Sequence, residues 1–266
     1  MILITGSSGF IGSHLMDYFE DAIGIDKRED KRSQNTLKVN LLDLEQLIHL
    51  FKDMDIDYVF HEAARPSVPD SYSDPNATYL DNVAASVTLF QACKVIGVKK
   101  IIFASSSSVY GESPYGHSKR IGEEILKNTG IPYTILRYFN VFGPRQRNNV
   151  VSHMYNSIKN NMRFEFYGDG KTSRDFTYVS NVVLANELAM DSKYDGKILE
   201  VGTGESHSLL HLFKTIKREV NPFFTNKVFE PIRIGDIRYS KSDTFLPKKD
   251  IIHMEEGVRE WLKSEK

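Results

Sequence analysis

The chain has 266 residues, enough for one large α/β domain with a small additional lobe. Its 34 basic and 35 acidic side chains nearly cancel, so no overall charge favours nucleic acid or an anionic membrane as a partner. The single cysteine, Cys93, excludes an internal disulfide and a cysteine-based zinc cluster, and it favours a reducing compartment.

Short apolar strands alternate with amphipathic helices along the first half of the chain. Strands are predicted at 2–5, 22–26, 58–61, 100–104 and 133–137. Helices are predicted at 10–19, 44–52, 76–96 and 115–128. This alternation is typical of a parallel sheet covered on both faces. The predicted fold class is therefore α/β, with a Rossmann-type doubly wound parallel sheet.

The pattern changes after Gly143 and predicts a smaller C-terminal α/β lobe that binds substrate. Helices are predicted near 151–160, 181–190 and 209–220 and from 255 onward, with strands at 164–167 and 197–201. The last of these strands can return to the first sheet. We therefore assign 1–144 and 177–203 to a dinucleotide-binding domain, and 145–176 and 204–266 to the lobe.

No stretch of the chain approaches the ~18 consecutive apolar residues of a membrane span. The first strand runs directly into a glycine loop, without the apolar leader of a secreted protein. The eight histidines are scattered, so no metal site is predicted. The sequence predicts a cytoplasmic protein without a membrane or nucleic-acid partner.

A glycine-rich loop, GSSGFIG, follows the first predicted strand. Glycines at positions 6, 9 and 12 permit a tight turn and let backbone N–H groups approach a pyrophosphate at a helix start. Asp26 ends the next strand, where a carboxylate can accept both ribose hydroxyls and repel a 2′-phosphate. The loop and Asp26 predict a dinucleotide site that prefers NAD. The two basic residues after Asp26 are interpreted as solvated surface residues.

Tyr115 and Lys119 follow a serine-rich strand end. Residues four apart share a helix face, so the Lys119 ammonium can lie near the phenol. Together with a positive nicotinamide ring, it is expected to lower the pKa of Tyr115 toward neutrality. A serine at the strand end can bond the same substrate hydroxyl. The Tyr-x-x-x-Lys spacing is common in helices, and its place after a nucleotide loop is what favours catalysis.

With these motifs the chain resembles the extended short-chain dehydrogenase/reductase family, and within it the NAD-dependent nucleotide-sugar epimerases of the UDP-glucose 4-epimerase type. The resemblance covers nearly the whole length, with the motifs in family order. They include the glycine loop, the segment HEAA at 61–64, SSSSVYG at 105–111, Tyr115 with Lys119, and LRYFNVFGP at 136–144.

The resemblance implies a role for each matching residue. The implied catalytic residues are Ser106, Tyr115 and Lys119. The implied ligands of NAD are Gly6, Gly9, Phe10, Ile11, Gly12, Asp26, Asp43, Leu44, Ala63, Ala64, Asn82, Tyr115, Lys119 and Phe139. The implied substrate site comprises Val68, Ser106, Asn140, Tyr167, Arg174, Arg233, Asp236 and Ser240.

The later motifs imply that the substrate is a UDP-sugar. In the resemblance Tyr167 lies against uracil, Arg174 and Arg233 bind the two phosphates, and Asp236 holds ribose. Guanidinium groups suit this task because they pair with phosphate through two hydrogen bonds. Most arginines in any chain are merely solvated, but each of these two lies inside a matching motif. Ser240 is expected to line the sugar pocket near the 2-substituent.

The implied reaction is inversion at C4 of a UDP-hexose, UDP-glucose or UDP-galactose, through a transient 4-keto sugar. A small residue at Ser240 would also admit N-acetylhexosamine forms. Related dehydratases and decarboxylases carry an acidic residue where this chain has Ser107 and Ser108, which favours an epimerase.

Two alternatives stay open. One is another dehydratase or reductase of the same family. The other is a catalytically silent NAD-binding regulator, because only eight residues separate Ser106 from Tyr115. Binding of RNA is disfavoured by the net charge of −1. The resemblance also implies a homodimer through the helices 76–96 and 115–128, and the apolar first helix supports it.

Overall fold

The structure is a computed structural model, which describes residues 1–29, 35–147, 149–232 and 238–265. The strands are β1 (Ile2–Thr5), β2 (Ile23–Asp26), β3 (Thr36–Lys38), β4 (Tyr58–His61), β5 (Lys100–Ser106), β6 (Tyr133–Tyr138), β7 (Val141–Phe142), β8 (Phe164–Tyr167), β9 (Ser173–Arg174), β10 (Thr177–Tyr178), β11 (Lys197–Val201), β12 (His207–Ser208) and β13 (Lys227–Glu230). The α-helices are α1 (Phe10–Tyr18), α2 (Leu44–Phe51), α3 (Val68–Ser73), α4 (Pro75–Tyr79), α5 (Ala85–Ile96), α6 (Pro114–Lys127), α7 (Val150–Lys159), α8 (Val179–Leu188), α9 (Leu209–Val220) and α10 (Met254–Ser264). A π-helical turn covers Leu80–Ala84, and 3₁₀ turns cover Ser107–Tyr110, Ser192–Tyr194 and Lys248–Asp250.

Among the described residues, seven strands form the main sheet in the order β11-β6-β5-β4-β1-β2-β3. Strands β1 to β6 pair in parallel with their neighbours. The chain therefore runs outward from β1 to β3 on one side and from β4 to β6 on the other. This order confirms the predicted Rossmann-type fold class, and β11 joins the sheet beside β6 as the sequence suggested.

The apolar strand residues explain why the sheet is buried. Leu3, Val59, Ile101 and Ile135 are 0–1% exposed and belong to one core cluster with side chains of α2 and α5. The aromatic ring of Phe103 belongs to the same cluster. Each central strand is buried along most of its length, as expected where helices cover both faces.

Two elements differ from the prediction. The sequence does not predict β3, because Thr36–Lys38 is short and mostly exposed at the sheet edge. The single helix predicted at 76–96 is interrupted: α4 begins at Pro75, capped by Asp74, and the π turn at Leu80–Ala84 separates it from α5. A π turn inserts one extra residue, and such turns are frequent at functional sites.

The chain forms two compact units. Unit 1 comprises Met1–Tyr138 and Val183–Leu199 and contains the main sheet up to the start of β11. Unit 2 comprises Phe139–Val182 and Glu200–Lys266 and contains three two-stranded pairs, β10-β7, β12-β9 and β13-β8, among its described residues. The predicted assignment of NAD and substrate to separate domains stays a prediction.

Candidate active site

Candidate residues of unit 1 gather at the carboxyl edge of the main sheet. Thr5 ends β1 beside His61 of β4, and Ser106 ends β5 beside Tyr138 of β6. The order of strands reverses between β1 and β4, which is where ligands bind in open sheets of this kind.

The glycines of the loop after β1 have no space for a side chain. A Cβ on Gly6 would lie 2.7 Å from the nitrogen of Ala63, and one on Gly12 would lie 2.2 Å from the carbonyl oxygen of Gly6. Among the described residues, no side chain caps α1 after Gly9 and no acidic residue lies in its first turn. The first N–H groups of α1 are therefore available to a pyrophosphate.

Asp26 holds its carboxylate in a fixed, buried position at the end of β2. Oδ2 accepts a hydrogen bond from the N–H of Ser8 at 3.2 Å, and Oδ1 accepts one from the N–H of Arg28 at 2.9 Å. The Lys27 ammonium pairs with Asp81 at 2.8 Å. The glycine cradle, the uncapped helix and this acceptor together fit NAD.

The other predicted NAD ligands of unit 1 occupy less distinctive positions. Asp43 is exposed, and its carboxylate caps α2 by accepting the N–H of Gln46 at 2.9 Å. Half-buried positions are held by Phe10, Ile11, Leu44, Ala63 and Ala64.

A directed chain of hydrogen bonds fixes the backbone after β4. Thr5 Oγ1 accepts the N–H of Ala63 at 3.1 Å and therefore donates to His61 Nδ1 at 2.8 Å. His61 Nε2 donates to Ser86 Oγ at 2.8 Å, because the Ser86 proton goes to the carbonyl oxygen of Asn82 at 2.6 Å. Burial lowers the pKa of His61 to about 3, so the ring is neutral. His61 is a framework residue at the strand end.

Asn82 connects the segment after β4 to α6. Its Oδ1 accepts the N–H of Arg65 at 2.7 Å, and its Nδ2 donates to Ser118 Oγ at 2.9 Å. Ser118 in turn donates to the carbonyl oxygen of Tyr115 at 2.7 Å. The structure gives Asn82 a positioning role at the start of α6, and direct contact with NAD stays a prediction.

Ser106, Tyr115 and Lys119 come together in unit 1. Ser106 Oγ accepts the N–H of Ser108 at 3.1 Å, which leaves its own proton to donate to the phenol of Tyr115. Lys119 Nζ donates to the carbonyl oxygen of Ala104 at 2.8 Å. Tyr115 and Lys119 are 7% and 3% exposed, so both side chains are removed from water.

Burial changes the acid–base properties of this set. Desolvation raises the pKa of Tyr115 to about 12, although the bond from Ser106 opposes the shift. Desolvation lowers the pKa of Lys119 to about 8, against the attraction of Glu62 and Glu123. The expected lowering of the Tyr115 pKa by Lys119 together with a nicotinamide ring stays a prediction, because these values describe the chain without cofactor. A further positive charge is required to favour the phenolate.

The short connection between Ser106 and Tyr115 is accommodated by a glycine. The 3₁₀ turn Ser107–Tyr110 crosses the start of α6, and a Cβ on Gly116 would lie 2.2 Å from the carbonyl oxygen of Ser108. Ser113 caps α6 by accepting the N–H of Gly116 at 3.1 Å. The eight-residue connection thus delivers Tyr115 into the first turn of a well-capped helix.

A buried ion pair fixes α6 against the sheet. Glu123, one helical turn after Lys119, accepts two hydrogen bonds from the Arg137 guanidinium, at 2.9 and 2.7 Å. Glu123 also accepts the hydroxyl proton of Ser105, the neighbour of Ser106. This arrangement positions the helix that carries Tyr115 and Lys119.

In unit 2 the organising residue is Asp175, which is fully buried. Its carboxylate accepts five hydrogen bonds, from the N–H and hydroxyl of Thr203, the N–H of Gly204, and the N–H and hydroxyl of Ser242. The carbonyl oxygen of Asp175 accepts Nδ2 of Asn140 at 3.1 Å. Asp175 therefore joins segments that are far apart in the chain.

The predicted substrate residues of unit 2 lie around this framework. Asn140 is exposed with φ of +35°, and the N–H of the adjoining buried Phe139 donates to Val201. Tyr167 and Arg174 are half-buried at the ends of β8 and β9. Non-glycine residues in the left-handed region concentrate at functional sites, which marks Asn140 as a candidate.

Two predicted substrate residues, Arg233 and Asp236, lie outside the described residues. Ser240 is half-buried, and its N–H donates to the carbonyl oxygen of Ser173 at 3.1 Å. Val68, in unit 1, is exposed at the first position of α3.

A pocket of about 450 Å³ in unit 2 is lined by two cationic residues, Lys171 and Arg238, that the sequence analysis did not single out. Its lining residues are Gly168, Asp169, Lys171, Thr172, Glu230, Pro231, Ile232 and Arg238. Arg238 lies five residues after Arg233, the predicted phosphate ligand. Its closeness to that motif in the sequence was the signal that could have found it.

Sequence reasoning also missed Glu62, Glu123 and Asp175. Glu62 is an acidic residue beside two alanines, which was a signal that could have found it, whereas Glu123 and Asp175 have no such local signal. Charged side chains are rarely buried without partners.

Histidines of unit 2 form a hydrogen-bonded chain that the sequence analysis overlooked. His207 and His211 are four residues apart, with their Nδ1 atoms 3.2 Å from each other. Glu205 accepts from His207 at 3.2 Å, and Glu255 accepts from His211 at 2.9 Å. Within the described ranges, no three histidine, cysteine or acidic side chains are arranged to hold a metal ion. No helix in those ranges has the length and apolar character needed to cross a bilayer.

Comparisons with known proteins identify the family and the fold. The model of the NAD-dependent epimerase/dehydratase family matches residues 2–202. A solved UDP-glucose 4-epimerase of Thermotoga maritima, with UDP-glucose, is 31% identical with a TM-score of 0.90, covering 98% of this chain and 97% of its own. A UDP-N-acetylglucosamine 4-epimerase of Methanobrevibacter ruminantium, in complex with UDP-N-acetylmuramic acid, is 34% identical with a TM-score of 0.87, covering 99% and 98%. A UDP-glucose 4-epimerase of Haemophilus influenzae is 28% identical over 94% of this chain and 91% of its own.

Proposed function

We propose that this chain inverts the configuration at C4 of a UDP-hexose. The chain belongs to the NAD-dependent epimerase/dehydratase family. The proposed substrates are UDP-glucose and UDP-galactose, with the N-acetylhexosamine forms as further candidates. The observation that carries the proposal is the buried pair of Tyr115 and Lys119 with the half-buried Ser106, in the same unit as a glycine cradle that fits NAD.

The residues of unit 1 would perform the proton transfer. NAD, when bound, supplies the reversible oxidation that the reaction requires at C4. Tyr115 Oη would accept the proton of the sugar O4 hydroxyl, and return it after the sugar has turned. Ser106 Oγ would donate to the same oxygen, while the Lys119 ammonium stabilises the phenolate. Because oxidation and reduction cancel, the reaction needs no external electron acceptor.

Residues of unit 2 would hold the nucleotide while the sugar stays free to turn. We assign Tyr167 to the uracil, Arg174 and Arg233 to the phosphates, and Asp236 to the ribose. Asn140 is assigned to the diphosphate, which its exposed, strained position supports. A firmly held diphosphate with a loosely held sugar is what inversion at C4 requires.

The test is incubation of the protein with a panel of UDP-sugars, with and without added NAD, followed by NMR. We expect inversion at C4 without net oxidation. Accumulation of a 4-keto-6-deoxy sugar would instead identify a dehydratase, and NAD binding without turnover would identify a regulator. The serines at 107 and 108 favour the epimerase, since a dehydratase needs an acid to move a second proton.

We also propose that the chain forms a homodimer through α5 and α6, in the reducing cytoplasm that a single buried cysteine suits. Both helices border a groove of about 500 Å³ in unit 1. Apolar side chains of these helices are exposed: Val87 (41%) and Val95 (61%) on α5, and Ile121 (40%) on α6. A second copy of the chain would cover these apolar residues. A monomer mass in solution at micromolar concentration would refute the dimer.

A further inference from the structure

Glu62 is an acidic side chain at the carboxyl edge of the main sheet for which the proposed mechanism has no use. It directly follows β4 and is partly buried. Its Oε1 accepts the hydroxyl proton of Tyr138 at 2.7 Å. The oxygen of Tyr138 accepts Nδ2 of Asn186, a buried residue of α8, at 2.8 Å. Two further elements, β6 and α8, therefore fix the direction of this carboxylate.

Glu62 and the proton-transfer pair meet at the same edge of the sheet. Lys119 donates to the carbonyl oxygen of Ala104, which follows Phe103, and Phe103 pairs with His61 in the register of β4 and β5. The charge of Glu62 acts on both Tyr115 and Lys119. Glu123 also acts on Lys119, and it is paired with Arg137. His61, the preceding residue, is neutral and hydrogen-bonded on both ring nitrogens. Among the described residues, Glu62 is thus an acidic neighbour of the proton-transfer pair that forms no ion pair within 4 Å, whereas Glu123 is paired with Arg137.

We propose that Glu62 is a positioning residue that supplies the counter-charge of Lys119 and so sets the pH at which Tyr115 and Lys119 lose their protons. A buried ammonium needs an opposite charge to stay protonated. The hydrogen bond from Tyr138 holds that charge in place. The inference rests on the proposed function in one respect, namely that Tyr115 and Lys119 are the proton-transfer group.

The sign of the effect does not depend on which member of the pair loses the proton. A negative charge raises the pKa of a phenol and also that of an ammonium. Removing the charge of Glu62 therefore lowers both, and the first proton loss moves to lower pH. Burial raises the pKa of Glu62 itself to about 7, so its influence is present above that pH and fades below it.

The experiment compares the protein with Glu62→Gln and Glu62→Ala, each saturated with NAD. Tyrosinate absorbance is followed against pH, and the contribution of Tyr115 is obtained by subtracting the same titration with Tyr115→Phe added. We expect both variants to lower the pH at which Tyr115 ionises by about one unit, the shift that removal of a nearby charge produces in a partly buried site. Two charge-removing variants are used so that the result does not depend on one of them folding.

Two further variants separate charge from structure. Glu62→Asp keeps the charge, and it should titrate close to the unmodified protein. Glu62→Gln keeps an acceptor for Tyr138, so a purely structural role would be rescued by Gln and not by Asp. Glu112→Gln is the matched control, because Glu112 lies three residues before Tyr115 with 82% of its side chain exposed, and water screens its charge. We expect no shift from it.

An unchanged or upward-shifted titration in Glu62→Gln and Glu62→Ala would overturn the inference. So would a shift of equal size in Glu112→Gln. Absence of C4 inversion by the unmodified protein would refute the proposed function, while the titration would still report on Glu62. The two failures are therefore distinguishable.

Discussion

The two units organise their candidate residues in opposite ways. In unit 1, Lys119, Asn82 and His61 are buried, and each has hydrogen-bond partners within the protein. In unit 2, Asn140 is exposed and Arg174 is half-buried. The fully buried acidic residue of unit 2, Asp175, bonds the chain itself.

This difference is what we expect if the residues of unit 1 perform the proton transfer and those of unit 2 bind the nucleotide. Groups that must be preorganised for proton transfer are held by the fold before any ligand is present. The groups that we propose to recognise the nucleotide, Asn140 and Arg174, are exposed or half-buried, on a framework that Asp175 holds. Substitutions in unit 1 should therefore change kcat or cofactor binding, and those in unit 2 should change KM or substrate selection.

The largest effect is expected from Tyr115→Phe. The substitution removes only the hydroxyl that would carry the proton, so kcat should fall by about 10³-fold or more while NAD still binds. Turnover by NMR and NAD affinity by calorimetry check this. Tyr110→Phe is the control, because Tyr110 is 58% exposed in the same connection. A near-normal kcat in Tyr115→Phe would refute the proposal that Tyr115 of unit 1 transfers the proton.

Asp175→Ala should have the next largest effect, and it tests the framework of unit 2. Five donors would lose their acceptor, which should lower the free energy of unfolding by about 3 kcal/mol or more. Chemical denaturation measures this loss. Asp169→Ala is the matched control, since the Asp169 side chain is 65% exposed. Equal stability of the two variants would contradict the assignment of Asp175 as the organising residue.

Asp26→Ala should weaken NAD by about 10- to 100-fold, because ribose loses a charged acceptor. The same change should improve binding of NADP relative to NAD. Nε of Arg28, now 3.5 Å from the Asp26 carboxylate, would become available to a 2′-phosphate. Fluorescence titration with both cofactors measures the two affinities. An unchanged ratio would show that the neighbouring basic residues govern this selectivity.

Local motifs made unit 1 predictable from sequence. The glycines and Asp26 act through turn geometry and strand position, which nearby residues determine. The fold class, the family and NAD were predicted in the same way and are confirmed.

Long-range contacts explain what the sequence did not reveal. Glu62 lies 76 residues from Tyr138, and Asp175 lies 67 residues from Ser242, so neither pairing has a local signature. The raised pKa of Tyr115 depends on burial, which a helical spacing does not measure. The roles of individual site residues stay predictions, because each needs a bound ligand or a variant to test it.

The smallest expected effect concerns the choice of sugar in unit 2. Ser173 of β9 bonds to the segment 238–240 through both its N–H and its carbonyl oxygen, so this segment runs alongside the strand that carries Arg174. Successive side chains of an extended segment point to opposite sides. Tyr239 and Ser240 therefore face opposite ways, and only one of them can line the sugar pocket.

If Ser240 is that residue, Ser240→Tyr should reduce kcat/KM for the UDP-N-acetylhexosamines by about 10- to 100-fold, the cost of pressing an acetamido group against a bulky wall. UDP-glucose and UDP-galactose should be nearly unaffected, because a hydroxyl at C2 needs no such space. Tyr239→Ser is the matched control, and it should leave the ratio of the two substrate pairs unchanged. Competition between the pairs, followed by NMR, measures the ratio directly. An equal loss for both pairs in Ser240→Tyr, or a changed ratio in Tyr239→Ser, would place Tyr239 in the pocket and Ser240 on the outer side.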